Sequence, residues 1–232
     1  MFVDPLGLWE QGDENLPYII NYIINGADGK TGGLTAKWHA AETQEEKDRI
    51  AKVANMLRAE STDYDLTKSS NVMLLLDNNG ARFAKASMGH MAVMIQNSVG
   101  QGIYFSYAGE DGTLLDDGMM NMDILNKDEM DKFLQTGNLY YTYASNGTLM
   151  SCNYTDYASI SIDSLSGSNM IGKGIYYFLN PKTYFLLGKQ CDNVASTIMG
   201  AGGKGYPVQW RPKASFEYVI DYFNVPRRSF GE

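Results

Sequence analysis

An α+β domain is what this sequence predicts. One amphipathic helix comes early, a succession of short strand-like runs follows, and a second clear helix opens at Cys191. Three observations carry that expectation. Apolar residues recur at helical spacing within residues 41–60, the pattern changes from Val72 onward to short continuous apolar and aromatic runs, and no internal repeat appears.

Composition sets the outer bounds. The 232 residues are 44% hydrophobic and 12% aromatic, enough for a proper core, which excludes disorder of the whole. The formal net charge of −8 argues against broad attraction to a phosphate backbone or an anionic membrane, since both require clustered Lys and Arg. Apolar runs such as Val72–Leu76 are too short to cross a bilayer. No basic segment followed by an apolar stretch marks the N-terminus as a secretory signal, so export is expected to depend on a carrier.

Residues 1–8 read as an extended segment and a turn, with Pro5 fixing one dihedral and Gly7 permitting another. Tyr18–Ile24 is an apolar patch suited to a short helix. Within 41–60, Thr43 is an N-cap with Glu46 three residues on, a capping box, and Ile50, Val53, Ala54 and Leu57 form the apolar stripe. Val72–Leu76 is a strand ended by the turn residues Asp77-Asn78-Asn79-Gly80. His90–Gln96 and Ile103–Tyr107 are strands joined by a hairpin connection over 97–102. Residues 126–135 predict a short helix, because Asp128, Glu129 and Asp131 favour the positive end of a helix dipole. Leu139–Ala144 and Ile175–Leu179 are expected as β-prone aromatic runs. From Cys191, the residues Val194, Ala195, Ile198 and Met199 share one helical face, and Gly200, Gly202 and Gly203 stop the helix.

The chain has two cysteines, Cys152 and Cys191, and two histidines, His39 and His90. The cysteines fit no zinc spacing, and no metal or other cofactor is expected. A thiol nucleophile needs a lowered pKa and a base within reach. Cys191 stands at a predicted helix start, where unpaired N–H groups and the dipole favour the thiolate and suit a developing oxyanion. It is therefore expected to react faster than Cys152, which lacks that setting. His90 follows Gly89 and opens an apolar strand, so it is the candidate base; His39 precedes a charged helix and reads as surface. A third polar group would orient the imidazole. Ser106, on the facing strand, is the choice over Asn97 and Glu110.

Two resemblances add to this reading. Phe2-Val3-Asp4-Pro5-Leu6-Gly7-Leu8-Trp9 resembles the Asp-Pro-x-Gly-x-Trp ending of Rhs-repeat core domains, where a shell closes and a variable toxin follows. That resemblance implies self-cleavage near Leu8–Trp9 by an aspartyl activity upstream. It also implies a toxin passenger delivered into a target cell by a type VI or related system, with an adjacent immunity protein as partner. Over residues 72–225, the runs Val72–Asp77, Met88–Ile95 and Tyr104-Phe105-Ser106 are similar to toxin domains with a circularly permuted papain-like fold. Relatives of the NlpC-type hydrolases and lecithin retinol acyltransferase share that order, histidine strand first and cysteine helix later. Gln190 stands where those families commonly carry Asn, and the long stretch between His90 and Cys191 implies an inserted segment.

The resemblances divide the chain into residues 1–8 as the end of an Rhs core, 9–71 as an N-terminal helical and loop extension, and 72–232 as a papain-like toxin domain. They imply a secreted effector of interbacterial competition acting as a thiol hydrolase or acyl transferase, with Cys191, His90 and Ser106 as site residues. A protein, peptidoglycan or lipid substrate is expected, with amidase or peptidase chemistry preferred and no nucleic-acid partner. The alternatives are a nuclease, an ADP-ribosyltransferase using Arg82 and Glu110, or a non-enzymatic binding toxin. Acidity and scarce histidines weigh against the first, and no convincing residue set supports the second.

Overall fold

A computed structural model of the protein describes residues 33–57, 68–80, 82–83, 86–109, 115–142, 149–180, 183–185 and 191–231. The architecture is α+β. Helices α1 (Leu34–Ala40) and α2 (Gln44–Leu57) come first, then β1 (Ser69–Asp77), β2 (Arg82–Phe83), β3 (Ala86–Ser87), β4 (His90–Asn97), β5 (Gly102–Gly109) and β6 (Leu115–Leu125). Helix α3 (Lys127–Thr136), β7 (Asn138–Thr142), β8 (Leu149–Asn153) and β9 (Asp156–Ser161) follow. The chain continues through α4 (Ser164–Leu179), β10 (Thr183–Phe185), α5 (Cys191–Ala201), α6 (Pro212–Phe223) and β11 (Arg228–Ser229). Seven strands form one sheet in the order β10-β6-β5-β4-β1-β9-β11, and every pairing in it is antiparallel. The ribbons β2–β3 and β7–β8 stand apart from it.

Local chemistry explains most of these boundaries. Thr43 Oγ1 accepts the Glu46 N–H at 3.2 Å and Glu46 Oε2 accepts the Thr43 N–H at 3.1 Å, which closes the capping box of α2. Asn126 and Glu129 cap α3 in the same reciprocal way, and Gly137 ends it in the left-handed conformation at φ 69°. Between β4 and β5, the Asn97 side chain accepts the N–H groups of Val99 and Gln101, and the turn closes there.

Both faces of the central strands are covered. Val72, Leu74 and Leu76 of β1, with Met91, Val93 and Ile95 of β4, pack on one side against α4, α5 and α6. Met73, Leu75, Ala92 and Met94 face the other side, with Tyr104, Met130, Phe133 and Tyr154. Coverage on both sides is why β1 and β4 read as unbroken apolar runs rather than alternating ones. Leu34, Ile50, Val53 and Ala54 also enter the first of these cores. Residues 34–57, expected as an extension, thus share the core of the sheet domain, and β1 begins at Ser69, ahead of the expected boundary at 72.

One expected element is different. Ile175–Leu179 is the last part of helix α4 rather than a strand. Its β-prone residues are overridden by their wider context: Asp163 caps the helix through the Ser166 N–H, and Met170, Ile171, Ile175 and Phe178 make one buried stripe. Small residues let that helix lie close to the sheet, since a Cβ at Gly174 would stand 2.5 Å from the Phe105 ring. The motif at residues 2–9, the Tyr18–Ile24 patch, Glu110, Tyr143-Ala144 and Gln190 lie outside the described residues. Among the described residues, no helix is long and apolar enough to cross a membrane.

The Gly174 contact yields a test. Alanine normally gains up to about 1 kcal/mol over glycine within a helix. Overpacking against a buried aromatic ring costs about 1–3 kcal/mol. Gly174→Ala is expected to lower the urea midpoint, with a net loss of about 1–2 kcal/mol; a raised midpoint would contradict the close packing of α4 on β5.

Candidate functional site

Cys191 heads α5 and is 2% exposed. The apolar face of that helix, Val194, Ala195, Ile198 and Met199, is drawn into the core and carries the helix tip against the sheet. The sheet is open at that point. Beyond the pair Ala92–Ser106, β4 and β5 no longer pair, which leaves the Met91 N–H without a strand acceptor on β5. The Cys191 sulfur takes that bond at 3.4 Å. A buried backbone donor needs a partner, and the thiol supplies it.

The start of α6 converges on the same place. The Lys213 N–H donates to the Met88 carbonyl at 3.4 Å, two residues before His90. Gly89 is held at φ +79°, and a Cβ there would stand 3.5 Å from the Lys213 nitrogen, so a glycine suits this approach of helix to strand. The Asp192 side chain is fully buried, and its Oδ2 accepts a 2.7 Å bond from the Ser215 hydroxyl. Ser215 Oγ in turn accepts the Gln209 N–H at 2.9 Å, and the Tyr206 hydroxyl donates to the Asp192 carbonyl at 3.4 Å.

His90 is partly buried and opens β4 opposite Asp77 of β1. Its Nε2 lies 2.7 Å from Ser106 Oγ. Strand alternation sends the His90 side chain to the face that carries Ala92 and Met94, whereas the Cys191 sulfur meets the edge of the strand at the Met91 N–H. The Tyr154 ring, on the His90 side, is centred 6.4 Å from the imidazole. From Tyr154 the polar contacts run on to Tyr104 at 2.5 Å between hydroxyls, and from Tyr104 to the Cys152 sulfur at 3.9 Å. Asp77 accepts the Asn79 N–H at 2.8 Å and serves its own turn. Burial raises its carboxyl above the usual range against the pull of that bond.

Burial also dominates the electrostatics of the two candidate groups. It pushes the Cys191 thiol up to about 12, and the neighbouring Asp192 charge pushes the same way. The N–H groups of Met91, Asp192 and Cys191 pull in the opposite direction but do not prevail. The His90 imidazole is brought down to about 4 because its burial disfavours the charged ring. Near neutral pH both groups therefore rest uncharged.

The expected site residues are brought together in part. His90 and Ser106 are hydrogen-bonded, and the Cys191 sulfur reaches the residue next to His90. No hydrogen bond joins that sulfur to the imidazole, and each has its own partner. The expectation of a lowered thiol pKa is overturned, because the helix start acts on a sulfur that packing has removed from water. Neither cysteine forms a disulfide, and Cys152 is half-buried. His39 is exposed on α1, and Asn97 shapes the turn at the far end of β4. Among the described residues, no group of three His, Cys, Asp or Glu side chains is placed to hold a metal ion. Asp192, Ser215 and Tyr154 went unread in the sequence. Asp192 carried a signal, as an acid in the first turn behind the cysteine; Ser215 and Tyr154 carried none.

Comparisons with protein-family models, with curated proteins and with solved structures found no match to this chain.

Two measurements test these electrostatics. A histidine whose folded pKa lies below its unfolded value leaves the unfolded chain binding more protons between the two. The His90 contribution to stability is thus complete above about pH 6.5 and is lost as pH falls toward about 4. We expect urea unfolding to show a loss on the order of 2 kcal/mol across that window. His90→Gln should lose less across that window by about this amount, since the carboxylates titrate alike in both proteins, and an equal slope in both would refute the assignment. Native iodoacetamide labelling at pH 7.5 should modify Cys152 before Cys191, and brief unfolding should equalise them.

Proposed function

We propose that this chain is the toxin passenger of an Rhs-type shell and acts as a thiol hydrolase or acyl transferase through Cys191 and His90. The delivery part rests on the resemblance of residues 2–9 to the closing motif of such shells. The chemistry rests on one contact: the Cys191 sulfur at the head of α5 bonds the backbone of Met91, adjacent to His90. Thiol, imidazole-bearing residue and helix N–H groups thereby meet at one end of one strand.

In this reading the described arrangement is the resting one. The thiol is neutral and covered, and His90 is engaged by Ser106. Reaction requires the imidazole to leave Ser106 and take the thiol proton as sulfur bonds the substrate carbonyl carbon. The N–H groups at the start of α5 stabilise the oxyanion. The protonated imidazole then gives its proton to the departing amine or alkoxide, and water or another acceptor releases the acyl group from sulfur. An amide substrate, in a protein or a peptidoglycan stem, is preferred over a lipid ester. A circularly permuted papain-like arrangement would fit this order of strand histidine and helix cysteine.

A second reading has its own observation. The imidazole already stands 2.7 Å from a serine hydroxyl, so Ser106 is the nucleophile His90 could activate without moving. Expression of single variants in the cytoplasm and the periplasm of a susceptible bacterium separates the two. Cys191→Ser should abolish toxicity, and His90→Gln should reduce it by about 10²–10⁴-fold, with Ser106→Ala milder than either. Full toxicity of a folded Cys191→Ser protein, together with loss in Ser106→Ala, would replace the thiol with the hydroxyl.

A further inference from the structure

Asp192 is a carboxylate with no exposed surface in the first turn of α5, one residue beyond Cys191. Removing a carboxylate from water is unfavourable unless polar partners compensate. An apolar residue would have filled this position at lower cost. What the acid gains is a bond across two helices: the Ser215 hydroxyl, itself fully buried in the first turn of α6, donates to Oδ2 at 2.7 Å. The same hydroxyl takes the Gln209 N–H, and the Tyr206 hydroxyl holds the Asp192 carbonyl, so the tips of α5 and α6 and residues 206–209 are tied at one point. The Lys213 N–H then fixes this assembly to Met88, just ahead of His90.

We propose that Asp192 is the positioning residue of the Cys191 thiol, anchoring the tip of α5 through Ser215 while setting one fixed negative charge beside the sulfur. The anchor keeps the sulfur on the Met91 N–H and under cover. The charge keeps the proton on it, so the thiol stays unreactive until another group accepts that proton. Asp192 lies on the same helix as the sulfur, Tyr206 in the segment after α5 is buried and neutral, and His90 of β4 rests uncharged. Of these three described groups, Asp192 is the one whose charge acts on the thiol.

This inference rests on Cys191 being the working thiol, but its test uses no substrate. Toxicity of Cys191→Ser decides the functional reading; alkylation kinetics decide this one. The rate of Cys191 carbamidomethylation by iodoacetamide is followed from pH 6 to 10.5 by peptide mass spectrometry on the full chain, with Cys152 as internal reference. Asp192→Asn keeps an acceptor for Ser215 and removes the charge. Its rate should rise about tenfold at pH 8, as a pKa drop of about one unit requires, while Cys152 is unchanged. Ser215→Ala releases the anchor and should speed Cys191 labelling by a similar factor at every pH. An Asp192→Asn rate and pH profile equal to wild type would overturn the charge role. Should that variant fail to fold, a Ser215→Ala protein labelled no faster than wild type would overturn the anchor and the proposal with it.

Discussion

Strands β1 and β4 bury both of their faces, and the rest of the molecule is arranged to keep them covered. Helices α4, α5 and α6 close one side; α3, Tyr104 and Tyr154 close the other. A sheet so enclosed has no water available for stray backbone groups, so each interior N–H must find a protein acceptor. At the one place where β5 leaves β4, the acceptor is a cysteine sulfur. The candidate site is therefore located by a gap in strand pairing, and the helix dipole is secondary to it.

The same enclosure decides the chemistry at rest. A thiol at a helix start and an imidazole at a strand start are both arrangements that can favour charge, yet here desolvation outweighs them and both groups are neutral. The geometry combines proximity with two uncharged groups. Cys191 and His90 share a neighbourhood at Met91, and each is engaged by a different partner. Tyr154 and Tyr104 extend the polar contacts on the imidazole side, whereas Asp192 and Ser215 hold the sulfur side.

Features governed by near neighbours in the chain were legible beforehand. The capping pair Thr43 and Glu46, the turn over 97–102 and the helix opening at Cys191 all depend on residues within a few positions of one another. The helix α4 was misread at Ile175–Leu179 because aromatic and β-branched residues there outweighed a helical stripe that begins at Met170. The proximity of Ser106 to His90 followed from neighbouring strands and was readable. Ser215 was not, because its importance comes from Asp192, a residue on another helix. The thiol's protonation was misjudged for the same reason: capping is local, but burial is a property of the whole fold.

The sulfur and the backbone group it touches are 100 residues apart in sequence. Contacts of such separation form late and slowly, after the entropy of closing a long loop has been overcome. An unfolded or partly folded chain would hold the two cysteines and two histidines at no fixed mutual distance. The contact between the Cys191 sulfur and the Met91 N–H would therefore come into being only as the chain folds.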